Sequence, residues 1–155
     1  MYTHLTMNYA QDPAGDVFVT VYGEEEILHE GMVEEGVADL FFWGTDITGI
    51  SPIHYDSFEE IYIESIQIRV HGETVAKMNA EMIMENLTPN EGILEMNLTK
   101  QGVCLMTKSD QPILQLSDML REQIDRMAAF MSLLNLLFYV IVWTFAYWYL
   151  FRVLN

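Results

Sequence analysis

Between Arg126 and Arg152 the chain runs for 25 residues, Met127 to Phe151, without one Asp, Glu, Lys or Arg. As a helix rising about 1.5 Å per residue this stretch is about 37 Å long, more than the roughly 30 Å of a bilayer's hydrocarbon core. Neither proline nor glycine interrupts it, and only Ser132, Asn135 and Thr144 are clearly polar. A helix apolar on all sides needs either a surrounding core or lipid. The chain is therefore expected to cross a membrane once, near its C-terminal end.

The far end of this run is aromatic. Trp143, Tyr147, Trp148 and Tyr149, followed by Arg152, have the amphipathic rings and snorkelling cation that settle at a membrane interface. Only Val153, Leu154 and Asn155 follow, so the expected arrangement is tail-anchored, with a folded head and one span. The first twelve residues lack the basic, then apolar, pattern of a secretory signal, which leaves insertion to the C-terminal segment. Lys108, Arg121 and Arg126 precede the span and Arg152 alone follows it. The positive-inside rule then expects the head on the cytoplasmic-type side. Two sequons, Asn86-Leu87-Thr88 and Asn97-Leu98-Thr99, point the other way, although Pro89 after the first disfavours glycosylation.

A helix opening precedes the span. Ser117 or Asp118 can cap it, while Arg121 with Asp125 and Glu122 with Arg126 stand at i,i+4. Leu116, Leu120, Ile124 or Met127, and Met131 form an apolar stripe at helical spacing. The stripe fits either a partner helix or the protein's own head, and the sequence leaves both open. Within the span, Ala128, Ser132, Asn135, Tyr139 and Ala146 form a second stripe of small and polar residues, the type that marks helix–helix contact in lipid.

Ahead of the helix the periodicity changes from 3.6 to two. Val17, Val19 and Val21 alternate with Phe18, Thr20 and Tyr22, and Ile27 to Val33 can return as a second strand. Val37 to Trp43 reads as a buried strand, and Gly44 to Tyr55 as an ordered loop. Ile66 to Val70 alternates up to a tight turn at His71-Gly72. Ala76 to Met84 then alternates as a strand with Met78, Met82 and Met84 on one core-filling face. Asn86 to Gly92 reads as a turn, followed by strands at Leu94–Thr99 and Val103–Thr107. The fold class expected is mainly β, an antiparallel sandwich, meander or open barrel, followed by one transmembrane helix. Residues 1–15 are expected to be an N-terminal extension, 16–110 an acidic β-rich head, and 116–154 the juxtamembrane and transmembrane helix.

Chemistry leaves few marks. With 23 acidic against 7 basic residues, the net charge of −16 repels nucleic acid. Glu24, Glu25 and Glu26, then Glu34 and Glu35, are candidates for docking a basic soluble protein. The lone Cys104 is expected as a buried structural thiol. His4, His29, His54 and His71 lack metal-ligand spacing, and no catalytic motif, P-loop or calcium loop is present, so no catalytic residue, metal or cofactor is expected. The leading expectation is a non-catalytic accessory or assembly subunit, held among other integral membrane subunits and the lipid bilayer. A tail-anchored module recruiting a basic soluble partner is the alternative. A membrane-bound metal site or enzyme built from His29, His54 and nearby acids is the third.

Overall fold

The computed structural model describes residues 1–155 except 12, 14–16, 25, 55–59, 108–110 and 155, with the backbone alone at 53, 54 and 154. The described residues form eleven strands and two helices: β1 (Tyr2–Tyr9), β2 (Val17–Tyr22), β3 (Ile27–Met32), β4 (Val37–Trp43), β5 (Gly49–His54), β6 (Ile61–Val70), β7 (Glu73–Asn79), α1 (Ala80–Asn86), β8 (Leu87–Pro89), β9 (Ile93–Thr99), β10 (Gly102–Thr107), β11 (Leu114–Leu116) and α2 (Asp118–Leu154). They form two antiparallel sheets. The first runs β4-β1-β6-β10-β9, with β7 also on β6, and the second runs β3-β2-β5-β11-β8. The head is a β-sandwich with a long helix leaving it.

Alternation decides which side chains face inward. Thr3, Leu5, Met7 and Tyr9 of β1 are buried, as are Ala38, Leu40 and Phe42 of β4 and Ile66, Ile68 and Val70 of β6. From the second sheet, Val17, Val19, Val21, Ile50, Leu87, Leu114 and Leu116 meet them. The register of β1 against β6 shifts between Asn8 and Tyr9, which restores Ile63 to the core side although it lies three residues before Ile66.

Several connections take backbone that L-residues resist, Gly44 after β4 among them at φ 112°. Glu35-Gly36 between β3 and β4 and His71-Gly72 between β6 and β7 both have positive φ, at 52° and 75° and at 53° and 86°. Two left-handed residues in succession match the twist of a two-residue hairpin. Gly102 opens β10 at φ 129°, and a Cβ there would lie 2.3 Å from the Ile63 carbonyl oxygen.

Several expectations are corrected. Residues 1–15 are not an extension before the head: Tyr2–Tyr9 is a central strand between β4 and β6. Its short alternation of polar and apolar residues becomes a strand because two neighbours cover both its edges. The expected loop Gly44 to Tyr55 contains β5, a central strand of the second sheet. Among the described residues β11 pairs only Gly49 and Ile50 of β5, so Pro52 lies beyond that pairing. The expected strand Ala76 to Met84 ends at Asn79, whose side chain accepts from the Met82 N–H at 2.9 Å and caps α1. Met78 is buried, but Met82 and Met84 are exposed on α1, so the three methionines share no core face. The expected turn at Asn86 to Gly92 includes β8, which pairs with β11. Leu116 closes β11 rather than opening the helix.

Candidate functional site: the long helix and its junction with the head

Local sequence fixes where α2 begins. The Ser117 N–H donates to the Asn86 carbonyl at 2.8 Å, and its Oγ accepts from the Leu120 N–H at 3.3 Å. The first turn is thereby tied to the end of α1 as well as capped. From there the helix runs 37 residues without a break.

Its first third lies on the head. Leu120, Ile124 and Ala128 are buried, and Met127 packs beside them on the core, where α2 meets β6 and β7. The stripe expected before the span thus covers the protein's own sandwich. Arg121 completes the junction by donating to Glu24 at 2.8 Å, with Asp46 at 3.9 Å, rather than pairing with Asp125. Arg126 and Glu122 form the expected i,i+4 pair at 2.6 Å. A cleft of about 360 Å³ between Val75 and the helix, lined by Gln123, Arg126, Met127 and Phe130, marks the place where α2 departs from the head.

Beyond Met131 every described side chain of α2 is exposed. The helix is long and apolar enough to cross a membrane. The uncovered part, 132–153, is 22 residues, about 33 Å of helix, close to one hydrocarbon thickness. The Thr144 hydroxyl is satisfied by the Val140 carbonyl at 2.7 Å. The Asn135 amide, facing outward, has no hydrogen-bond partner among the described residues. Among the expected anchors, the Arg152 guanidinium stands 5.2 Å over the Trp148 ring, and Trp143, Tyr147 and Tyr149 are exposed. Of the second stripe, Ser132, Asn135, Tyr139 and Ala146 are uncovered, whereas Ala128 belongs to the head junction.

No protein-family model matches this chain. No curated protein matches it either. Among solved structures it is similar to vCBM60, a calcium-dependent carbohydrate-binding module, at a TM-score of 0.40 and 11% identity over 74% of this chain and 90% of that one. No role follows from a likeness that distant.

The head presents one surface that sequence reading missed. Trp43 is 78% exposed and Phe41 56% exposed at alternate positions of β4. Tyr2 meets Trp43 edge-on with centroids 6.5 Å apart, and His4 stacks on Phe41 at 3.8 Å. His71 closes the cluster against Tyr2 at 5.0 Å. Beside the rings lies a hydrogen-bonded row: His4 and Thr6 to Asp39, Asn8 to Ser65, Arg69 to Gln67, and Gln67 to Thr74. Partial burial raises the Asp39 carboxyl, but hydrogen bonds from His4 and Thr6 and nearby positive charge outweigh it and hold the pKa below 3.8. The signal was present as alternation in Val37–Trp43, but only the pairing with β1 shows that Phe41 and Trp43 point away from the core.

The acidic candidates do not form one patch. Glu24 is engaged by Arg121, and Glu25 lies outside the described residues. Glu26 is exposed at one end of β3, and Glu34 and Glu35 are exposed at the other, about 20 Å away at 3.3 Å per residue. Cys104 is half-buried rather than buried, on the side of β10 opposite Val103 and Leu105. Desolvation raises its thiol pKa, and the Tyr62 phenol beside it is pushed up to about 12, chiefly by its hydrogen bond to Glu60. Among the described residues no three His, Cys, Asp or Glu side chains converge on a metal-sized space. The His54 side chain lies outside them.

Proposed function

We propose that this chain is a single-span membrane protein acting as a non-catalytic accessory or assembly subunit of a larger membrane complex. The observation that carries the reading is the uncovered helix from Ser132 onward, apolar nearly throughout and one bilayer long, on a head whose own core is already closed. A folded chain that leaves this much apolar surface bare needs lipid or other helices around it. The head faces the cytoplasmic-type side, a sidedness supported by Arg121 and Arg126 before the span against Arg152 after it. The Asn86 amide of the first sequon is committed to the Met82 carbonyl at 2.9 Å, which leaves it poorly placed to accept a glycan.

The head contributes a second contact through the aromatic face of Tyr2, His4, Phe41 and Trp43. Exposed Trp and Tyr beside Arg and hydrogen-bonding groups have the composition of interface cores. The test is fractionation of two forms. The full chain stays with membranes after a carbonate wash and, in mild detergent, migrates as a stable stoichiometric complex. A form ending at Met131 is soluble and monomeric. Sedimentation of that shorter form with washed membranes, or a salt-labile monomer from the full chain, would defeat the proposal.

A further inference from the structure

We infer that the span's lateral neighbour is a transmembrane helix of a different chain whose head-side end carries no folded domain, and that a second copy of this protein does not fit there. This deepens, and rests on, the reading of 132–153 as a membrane span.

The geometry starts from the unbroken helix. With no proline or glycine between Asp118 and Leu154, faces defined above the membrane continue into it. The head covers α2 at Leu120, Ile124 and Ala128. At about 100° per residue, Ser132, Asn135, Tyr139, Val142 and Ala146 all fall within about 40° of Ala128. The face that carries the head above the membrane is therefore the face that carries Asn135 within it.

Asn135 gives that face a need. Its amide is unpaired among the described residues and lies about one turn into the uncovered segment, while Thr144, on the opposite side, is already satisfied by its own helix. An unpaired amide in lipid is costly, so the Asn135 side is where a neighbouring helix is stabilised.

The head decides which neighbour fits. Packed helices lie about 8–10 Å apart, so a helix against Asn135 stands directly beneath the sandwich. Two sheets about 10 Å apart, with their outer side chains, make a body about 20 Å thick. In a parallel pair of copies joined through this face, both heads would point inward over the contact. Even a crossing angle of about 40° opens the helices by only about 11 Å at the level of Ile124, about 16 Å above Asn135. Two sandwiches do not fit in that space. A helix ending at the membrane surface fits without displacement.

Disulfide trapping tests this on the full chain. The protein carries Ser132→Cys, which keeps the Asn135 amide, with Cys104→Ser, and is reconstituted in phosphatidylcholine vesicles. The probes are two polyleucine transmembrane peptides, each with one Cys at its head-side end and one Asn a turn further in. One is bare at that end and the other carries a folded domain of about 10 kDa there. Because both cysteines sit near one side of the bilayer, only parallel pairs are trapped. The expected result is at least about fivefold more disulfide with the bare probe than with the bulky probe or between two copies. Leu133→Cys, turned away from that face, should show no preference for the bare probe. Equal trapping of both probes at Ser132→Cys, or self-dimer as abundant as the bare-probe product, overturns the inference. Release of the protein from vesicles by carbonate before oxidation would instead overturn the span reading beneath it.

Discussion

Ile124 should hold the head together as well as join it to the rest of α2. It is 1% exposed, one turn from Leu120 on one side and from Ala128 on the other, against the end of the sandwich at β6 and β7. Replacing a fully buried isoleucine by alanine costs about 2–5 kcal/mol, from lost transfer energy plus the cavity left behind. That is a large share of the roughly 5–15 kcal/mol available to a domain of this size. The measurement is urea unfolding of the form ending at Met131, followed by far-UV circular dichroism. Trp43 is a poor reporter there because it is already largely exposed. With a urea slope of about 2 kcal/mol per molar, a loss of about 3 kcal/mol lowers the midpoint by about 1.5 M. Met119→Ala, on the exposed side of the same turn, should stay within about 0.5 kcal/mol of the parent. An Ile124→Ala midpoint indistinguishable from that control would show that the first turns of α2 do not dock on the head. The inference about the span's neighbour would then lose its fixed geometry.

Gly102→Ala should destabilise the head by more than about 3 kcal/mol or prevent its folding, since φ is 129° and the new methyl would strike the Ile63 backbone; soluble yield and the urea midpoint report it. Tyr9→Phe should leave stability unchanged or raise it by about 1 kcal/mol, because the Tyr9 hydroxyl is buried with no hydrogen-bond partner among the described residues, and a loss of more than about 1 kcal/mol would reveal a partner. Asp39 has a folded pKa below its ordinary 3.8, so its contribution is present above that value and lost as pH falls through the folded one; Asp39→Asn should be less stable than the parent at pH 6, with the gap narrowing as pH falls below 3.8. Asn135→Leu should leave insertion intact but weaken co-purification of the complex by about 1 kcal/mol, with Leu137→Ala as control; equal recovery from both would remove the Asn135 side as a contact.

The uncharged run from Met127 to Phe151 needed no tertiary information, because crossing a bilayer depends on length and apolarity along one segment. Period-two alternation likewise made β2, the Ile66–Val70 end of β6, β9 and β10 legible, and His71-Gly72 announced its turn by residue type. The apolar run Val37–Trp43 read as a buried strand, whereas β4 leaves Phe41 and Trp43 exposed. Other features depended on what lay across the fold. The alternation in Ala76–Met84 served equally for strand and helix until the Asn79 side chain capped the chain into α1. Tyr2–Tyr9 became a central strand because β4 and β6 flank it, and Gly49–His54 became a strand because β2 pairs along its whole length. The apolar stripe Leu120-Ile124 had two possible owners, and the sandwich claimed it. Arg121 had a partner four residues away, yet the fold brought Glu24 and Asp46 to it from loops far away in sequence. Local patterns fix what a segment can bury. Which surface buries it is set by long-range packing, and on this chain that choice put the head and Asn135 on one side of the same helix.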